Sequence, residues 1–344
     1  MMRTSPVHGI NLWYPRMTDA MVIATGAVVL GVILLLLSAD RFVDGAAAIA
    51  RQFGMPPLLI GMIVIGFGSS MPEMLIATLS SWEGSPELAL GNAFGSNITN
   101  IALILGLTAL ISPIAVQSSL IGRELPLLTA ITAISALLLV PDGFLSRSDG
   151  FILIVMFLVI MGWTIQMNRK TEEDELANSV DSSDKGKLTT ARAWIYLLGG
   201  LGILILSSRM LVWGGTSIAV TLGISQLIIG LTIVAIGTSL PELASSIAAV
   251  RKGLHALAIG NVIGSNMFNT SVVIGLSGTI APALIMMDLI RRDFPLLLFL
   301  TLALFIMCYP WKGPGTGGIN RREGGMLLAT YLAYNAILFI QATT

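Results

Sequence analysis

Glu73 is the residue whose chemistry most needs explaining. It closes the stretch Gly66-Phe67-Gly68-Ser69-Ser70-Met71-Pro72-Glu73, inside a run from Pro57 to Leu79 that is otherwise apolar and long enough to cross a bilayer. A carboxylate at that depth costs roughly 2.5–3.5 kcal/mol on insertion scales, and such residues mark ion or proton pathways. Pro72 lacks an N–H and its ring crowds the carbonyl four residues back, which predicts a kink or an unwound turn just before Glu73. The freed carbonyls and the Ser hydroxyls then gather several oxygens around one negative charge. That is the outline of a cation site.

The stretch returns 169 residues later as Gly237-Thr238-Ser239-Leu240-Pro241-Glu242. At the same offset, without a gap, Gly91-Asn92 falls on Gly260-Asn261, Gly95-Ser96-Asn97 on Gly264-Ser265-Asn266, and Asn100 on Asn269. The match continues to Arg123-Glu124-Leu125-Pro126 against Arg292-Asp293-Phe294-Pro295. The chain is therefore an internal duplication, a conclusion that needs no secondary-structure assignment. Ser96 and Asn100 are four residues apart and share a helix face, which suits them to point together at Glu73. The glycines allow helices to approach closely, and Asn92, Asn97 and their mates can serve as hydrogen-bond glue between helices.

The elements that must hold these residues are transmembrane helices. The chain is 55% apolar and 11% charged, against about 25% charged in soluble domains. The expected fold is an all-α polytopic membrane protein with ten transmembrane helices. The spans are Met21–Ala50, Pro57–Trp82, Leu88–Ile111, Leu125–Val140 and Gly150–Met167, then Trp194–Leu222, Gln226–Val250, Leu257–Ile280, Phe294–Tyr309 and Gly325–Ile340. Residues 1–20 read as an N-terminal extension, 21–167 and 191–344 as five-helix repeats, and 168–190 as a flexible, acidic linker. An odd number of spans per repeat inserts the second copy upside down relative to the first. This inverted-topology plan belongs to secondary transporters, with the substrate site at the repeat interface.

Positive charge sets the orientation. With the N-terminus outside, Arg51, Arg123, Lys170, Arg251 and Lys252 fall on the inner face, while few basic residues, such as Arg147 and Arg292, fall on the outer one. Both termini are then expected outside and the linker 168–190 in the cytoplasm, with a bacterial inner membrane as the setting. The formal net charge is zero, which offers nothing to nucleic acid. His8 and His255 lie outside the spans, against zinc chemistry, and Cys308 reads as a small buried residue.

Inversion about an axis in the membrane plane brings Glu73 and Glu242 together. Two carboxylates in a low dielectric repel, and a divalent cation removes the conflict. Carboxylates, hydroxyls, amides and unwound carbonyls form an all-oxygen set suited to calcium and, by the same hardness, to sodium. The alternative is a pair of buried, protonated helix-packing residues.

At these residues the chain resembles a known family. Gly-Ser/Thr-Ser-X-Pro-Glu followed by Gly-Asn-X-X-Gly-Ser-Asn-X-X-Asn, present twice, is similar to the alpha-repeats of the calcium/cation antiporter superfamily, and within it to prokaryotic sodium/calcium exchangers. The resemblance implies two long tilted helices, the first and sixth spans, sliding across a fixed core. It implies calcium and sodium held by Glu73 and Glu242, with hydroxyls from Ser70, Ser239, Ser96 and Ser265. Ser69 and Thr238 would offer carbonyls and hydroxyls, Gly66 and Ala235 backbone carbonyls, and Asn100 and Asn269 would close the middle of the site. Some family members carry aspartate where this chain has Asn269, which leaves sodium against proton coupling open. No cofactor and no separate calcium-sensing domain are expected; the oligomeric state is left open, a monomer being plausible, and the partners are the ions and the lipid bilayer.

The leading expectation is a Ca2+/Na+ antiporter, and the close alternative is Ca2+/H+ exchange. A passive cation channel needs a continuous pore, which suits two Pro-broken motifs in one chain less well than alternating access. An intramembrane hydrolase lacks a His beside a Ser within the spans.

Overall fold

The computed structural model describes residues 17–116, 120–179, 188–223, 233, 235–310 and 317–343. The expected extension before Met17, the start of the span expected from Gln226, and residues 180–187 of the expected linker lie outside the described residues.

The helices follow the apolar runs. α1 (Met17–Phe53) begins four residues before the expected span. The second run is broken into α2 (Pro57–Ile60), a π-helical turn at Gly61–Ile65, α3 (Gly66–Ser69) and α4 (Met71–Trp82). The third comprises α5 (Pro86–Ile98), a π-helical stretch at Thr99–Leu105 and α6 (Gly106–Ile111). A π turn at Leu120–Glu124 leads into α7 (Leu125–Leu139), and α8 spans Arg147–Ser179.

The remaining helices are α9 (Thr190–Thr221), α10 (Ala235–Thr238), α11 (Leu240–Arg251) and α12 (His255–Phe268). A π stretch at Asn269–Val273 precedes α13 (Ile274–Ile280), another at Leu289–Asp293 precedes α14 (Phe294–Cys308), and α15 is Arg321–Thr343.

Among the described residues seven helices are long and apolar enough to cross a membrane, and the bent pair Pro57–Ser69 and Met71–Trp82 makes an eighth if it is one span. The helix entered at Leu289 carries Arg291, Arg292 and Asp293 in its first turns, so it is too charged to qualify by composition.

One expectation is corrected here. The segment expected as a flexible linker from residue 168 is helical through Ser179, as the continuation of α8. Glu, Leu and Ala are good helix formers, and a helix already nucleated within the membrane propagates into them at little cost.

Boundaries recur at the 169-residue offset: Met71–Trp82 against Leu240–Arg251, Leu125–Leu139 against Phe294–Cys308, and the π turns Leu120–Glu124 against Leu289–Asp293. The halves are interlocked. Strand β1 (Ile114–Ala115) pairs antiparallel with β4 (Gly318–Ile319), Ile114 opposite Ile319, and β2 (Phe144–Leu145) pairs with β3 (Ala283–Leu284), Leu145 opposite Ala283. The last helix of each half packs on the other half, α8 against α13 and α15 against α6. Backbones meet there at Gly150 with Gly275 and at Gly106 with Gly324, the small-residue contacts that membrane interfaces use.

Burial separates core from periphery. Within the most apolar window of His255–Ile280, 94% of residues are buried, against 22% for Met21–Phe53. α12 is therefore central, while α1 and α9 form a pair at the edge with Ile33, Leu37, Ile195 and Leu198 exposed.

Candidate cation site

The break expected before Glu73 is present. Ser70 leaves helical geometry (φ −83°, ψ 3°), and the two halves of the broken helix meet at 43°. Ser239 does the same in the second half (φ −93°, ψ 7°). Pro72 and Pro241 sit at the opening of the new helices, where a missing N–H is harmless, and they put Glu73 and Glu242 in the first turn of α4 and α11. The partial positive charge of a helix N-terminus favours a carboxylate there.

Both carboxylates are fully buried, at 0% exposure, and lie within electrostatic reach of each other. Ser96 Oγ donates to Glu73 Oε1 and Ser70 Oγ to Glu242 Oε1, each at 3.4 Å. The second bond crosses between the halves. The other oxygen of each carboxylate has no hydrogen-bond partner, and neither have Asn100 Oδ1, Asn269 Oδ1 or Ser239 Oγ, all buried. Buried polar groups are ordinarily satisfied, so these unpartnered oxygens are acceptors open to a water or an ion. Among the described residues no three His, Cys, Asp or Glu side chains cluster, so the donors beyond the two carboxylates must be hydroxyl, amide and carbonyl oxygens.

The other expected residues divide. Ser69 Oγ lies 3.0 Å from Asn261 Oδ1 and 3.4 Å from Ser265 Oγ, and Ser265 Oγ donates to the Gly66 carbonyl at 3.4 Å. These groups bind one another across the halves. Asn100 is not bonded to Glu73, as its shared face with Ser96 suggested; its Nδ2 donates across the halves to Asn266 Oδ1 at 3.0 Å. Asn100 and Asn269 both lie in π-helical stretches, whose widened turns occur often at functional sites. Thr238 ends α10, partly buried, and Ala235 opens it.

Interhelical glue is as expected: Asn97 Nδ2 donates to Thr270 Oγ1 at 2.8 Å. One residue carries more than its motif position suggested. Asn261 donates to Ser245 Oγ, Ser246 Oγ and the Glu242 carbonyl, and accepts from Ser69, so it holds the second carboxylate's helix against the first half. Its only signal was the Gly-Asn pair shared with Gly91-Asn92.

A second symmetric pair of buried acids drew no functional reading from sequence, although the Arg-Glu/Asp-X-Pro match marks it. Asp293 is held in bidentate fashion by Arg292 at 2.7 and 2.9 Å and by Tyr334 Oη at 3.0 Å. Its mate Glu124 has Oε2 unpartnered in a small cavity that it lines with Thr164 and Arg123, whose charge opposes a cation there.

Two buried carboxylates at paired helix breaks, with further unpartnered oxygens on Asn100, Asn269 and Ser239, meet a decisive match. The family model described as "Sodium/calcium exchanger protein" matches residues 23–166 and again 192–340. The chain belongs to the sodium/calcium exchanger family. CaxA of Alkalimonas amylolytica is 42% identical over 322 residues, 93% of this chain and 99% of that protein. Inner membrane protein YrbG of Escherichia coli is 38% identical over 93% of this chain and 98% of its own length. Among solved structures, the sodium-calcium exchanger NCX_Mj, soaked with 10 mM Na+ and 10 mM Sr2+, superposes with a TM-score of 0.78 at 32% identity, covering 92% of this chain and 98% of that one. This exchanger-family chain is thus an integral membrane protein of a transporter family, and the two family matches coincide with the two halves read from the 169-residue repeat.

Proposed function

We propose that the chain is a secondary antiporter that exchanges calcium for sodium by alternating access, with the ions held between the halves at Glu73 and Glu242. The observation that carries this reading is the set of buried, unpartnered oxygens on Glu73, Glu242, Asn100, Asn269 and Ser239. The naming of NCX_Mj as a sodium-calcium exchanger supports it. Ser69, Ser70, Ser96, Ser265 and Thr238 complete the donor set with hydroxyls, and Gly66 and Ala235 with carbonyls. The reading comprises ten spans in two inverted repeats, residues 21–167 and 191–344, with both termini outside and the segment 168–190 on the cytoplasmic side.

The same geometry explains why transport would be an exchange. Two carboxylates carry two negative charges, which one calcium ion neutralises. Emptied of cations, they would be sealed uncompensated in the low-dielectric interior each time the first and sixth spans move past them, at a cost of several kcal/mol per ion. Sodium ions or protons relieve that cost in the reverse direction, so calcium leaves only as another cation arrives.

Calcium uptake into proteoliposomes loaded with sodium, potassium or choline tests the proposal. Uptake driven by internal sodium alone is expected. Uptake driven by an imposed pH gradient, whatever the alkali ion, replaces sodium by protons as the coupling ion; a conductance indifferent to the opposing ion overturns exchange altogether.

Asn269 is where the coupling reading is sharpest, since both its amide atoms are buried without partners. Asn269→Asp adds a third carboxylate to the pair. It is expected to change the sodium or pH dependence of uptake by about tenfold while calcium affinity moves less, because Glu73 and Glu242 already neutralise one calcium ion and the added charge is left to a sodium ion or a proton. An unchanged ion profile places Asn269 outside the site.

A further inference from the structure

The α1–α9 pair is symmetric within itself. A Cβ on Gly45 would meet Ala193 and Leu197, and one on Gly214 would meet Ala24 and Val28, which are the same contacts moved by 169 residues. Gly31 against Leu211 and Gly200 against Phe42 repeat the relation. The seating of this pair on the rest of the molecule is not symmetric. α1 runs along α11, whereas the matching seam of α9 with α4 is much slighter. The pair is therefore shifted toward one of two equivalent positions.

At the end of the closed seam, Lys252, in the turn after α11, reaches back to α1. Its Nζ lies 2.7 Å from Asp44 Oδ1, 3.5 Å from Asp40 Oδ1 and 2.9 Å from the Asp40 carbonyl. The 169-residue mates of Lys252 and Asp40 are Glu83 and Arg209, the same charges with the signs exchanged. Both are exposed, and among the described residues no ion pair joins them. Five helical runs lie between Glu83 and Lys252, which puts the two turns on opposite faces in the ten-span reading.

We propose that Lys252 with Asp40 and Asp44, and Glu83 with Arg209, are two latches of opposite polarity that close alternately as the α1–α9 pair moves across the core. Each latch holds one face shut, and the structure has the Lys252 latch engaged. The inference rests on the alternating-access reading above. Exchanged signs have a use: Lys252 and Glu83 cannot be satisfied by the same partner, so the two end positions stay distinct.

Spin labels test it in the full chain. Phe53 and Arg251 flank the closed seam, and their mates Leu222 and Trp82 flank the open one; all four are exposed. Distances are measured for the pairs 53–251 and 82–222 in separate double-cysteine variants carrying Cys308→Ser, in calcium and in sodium. Lys252→Glu is expected to move the population about threefold to fivefold toward long 53–251 and short 82–222 distances, the scale of an exposed ion pair. Glu83→Lys is expected to move it the other way, and Lys252→Glu combined with Asp40→Lys and Asp44→Lys to restore the original ratio. Distances that change with the ions but ignore Lys252→Glu and Glu83→Lys overturn the latches and leave alternating access standing. Distances that never change under any ion overturn alternating access itself, and the latches with it.

Discussion

Replacing Glu73 or Glu242 by Gln is expected to reduce calcium uptake on the order of a hundredfold, with the protein still inserted and monodisperse. Gln keeps the shape and the acceptor for Ser96 or Ser70, so packing changes little. What it removes is half of the charge that offsets a divalent ion's lost hydration, and ligand charge count is a main determinant of calcium affinity. The remaining carboxylate, fully buried at 0% exposure, is then matched to a single positive charge. Uptake is measured in proteoliposomes, and calcium affinity by the heat of binding in detergent. Near-normal uptake in either variant removes the shared site. Loss of uptake accompanied by aggregation shows instead that the carboxylates hold helices together.

Gly264→Val is expected to produce the largest loss of stability. A Cβ at Gly264 would sit 2.2 Å from the Met62 carbonyl oxygen and 2.6 Å from its Cα, backbone atoms that have no rotamer in which to escape. Overpacking of a core costs about 3 kcal/mol at the upper end of its usual range. Here the displaced element is the π-helical turn of the broken helix that carries Glu73. Thermal unfolding followed by size-exclusion chromatography should show the variant aggregating well below the parent. Gly162→Ala, exposed on α8 with nothing near its Cβ, serves as the comparison and should unfold no earlier. Equal melting of the two variants removes the claim that the halves meet backbone to backbone at this point.

The duplication made much of this arrangement legible from residues alone. Pro72 and Pro241 announced the helix breaks, because a missing N–H and a ring clash act locally whatever the surroundings. Buried charge in an apolar run singled out Glu73 and Glu242 for the same kind of reason. The destinations of hydroxyls and amides were less legible. Asn100 turned to Asn266 rather than Glu73, and Ser265 to Ser69 and the Gly66 carbonyl, because contacts across the halves depend on how two surfaces meet. Helical periodicity within one half carries no information about that. The helix through Ser179 escaped for a different reason: an acidic, polar composition suggested a solvated linker, although its Glu, Leu and Ala residues extend a helix that is already formed.

The exchanged strands and final helices bear on how the molecule is made. Synthesis runs from the N-terminus, and the third helical run of the first half meets α15 as its neighbour, with β1 paired to β4 beside it. α15 follows every other helix described above, so the first half waits in the bilayer with Gly106 uncovered until the second half has been made. A truncated product lacking that helix presents the quality-control machinery with an open groove rather than a working half. An ancestor with one repeat would have closed the same groove only by trading its final helix with a second copy.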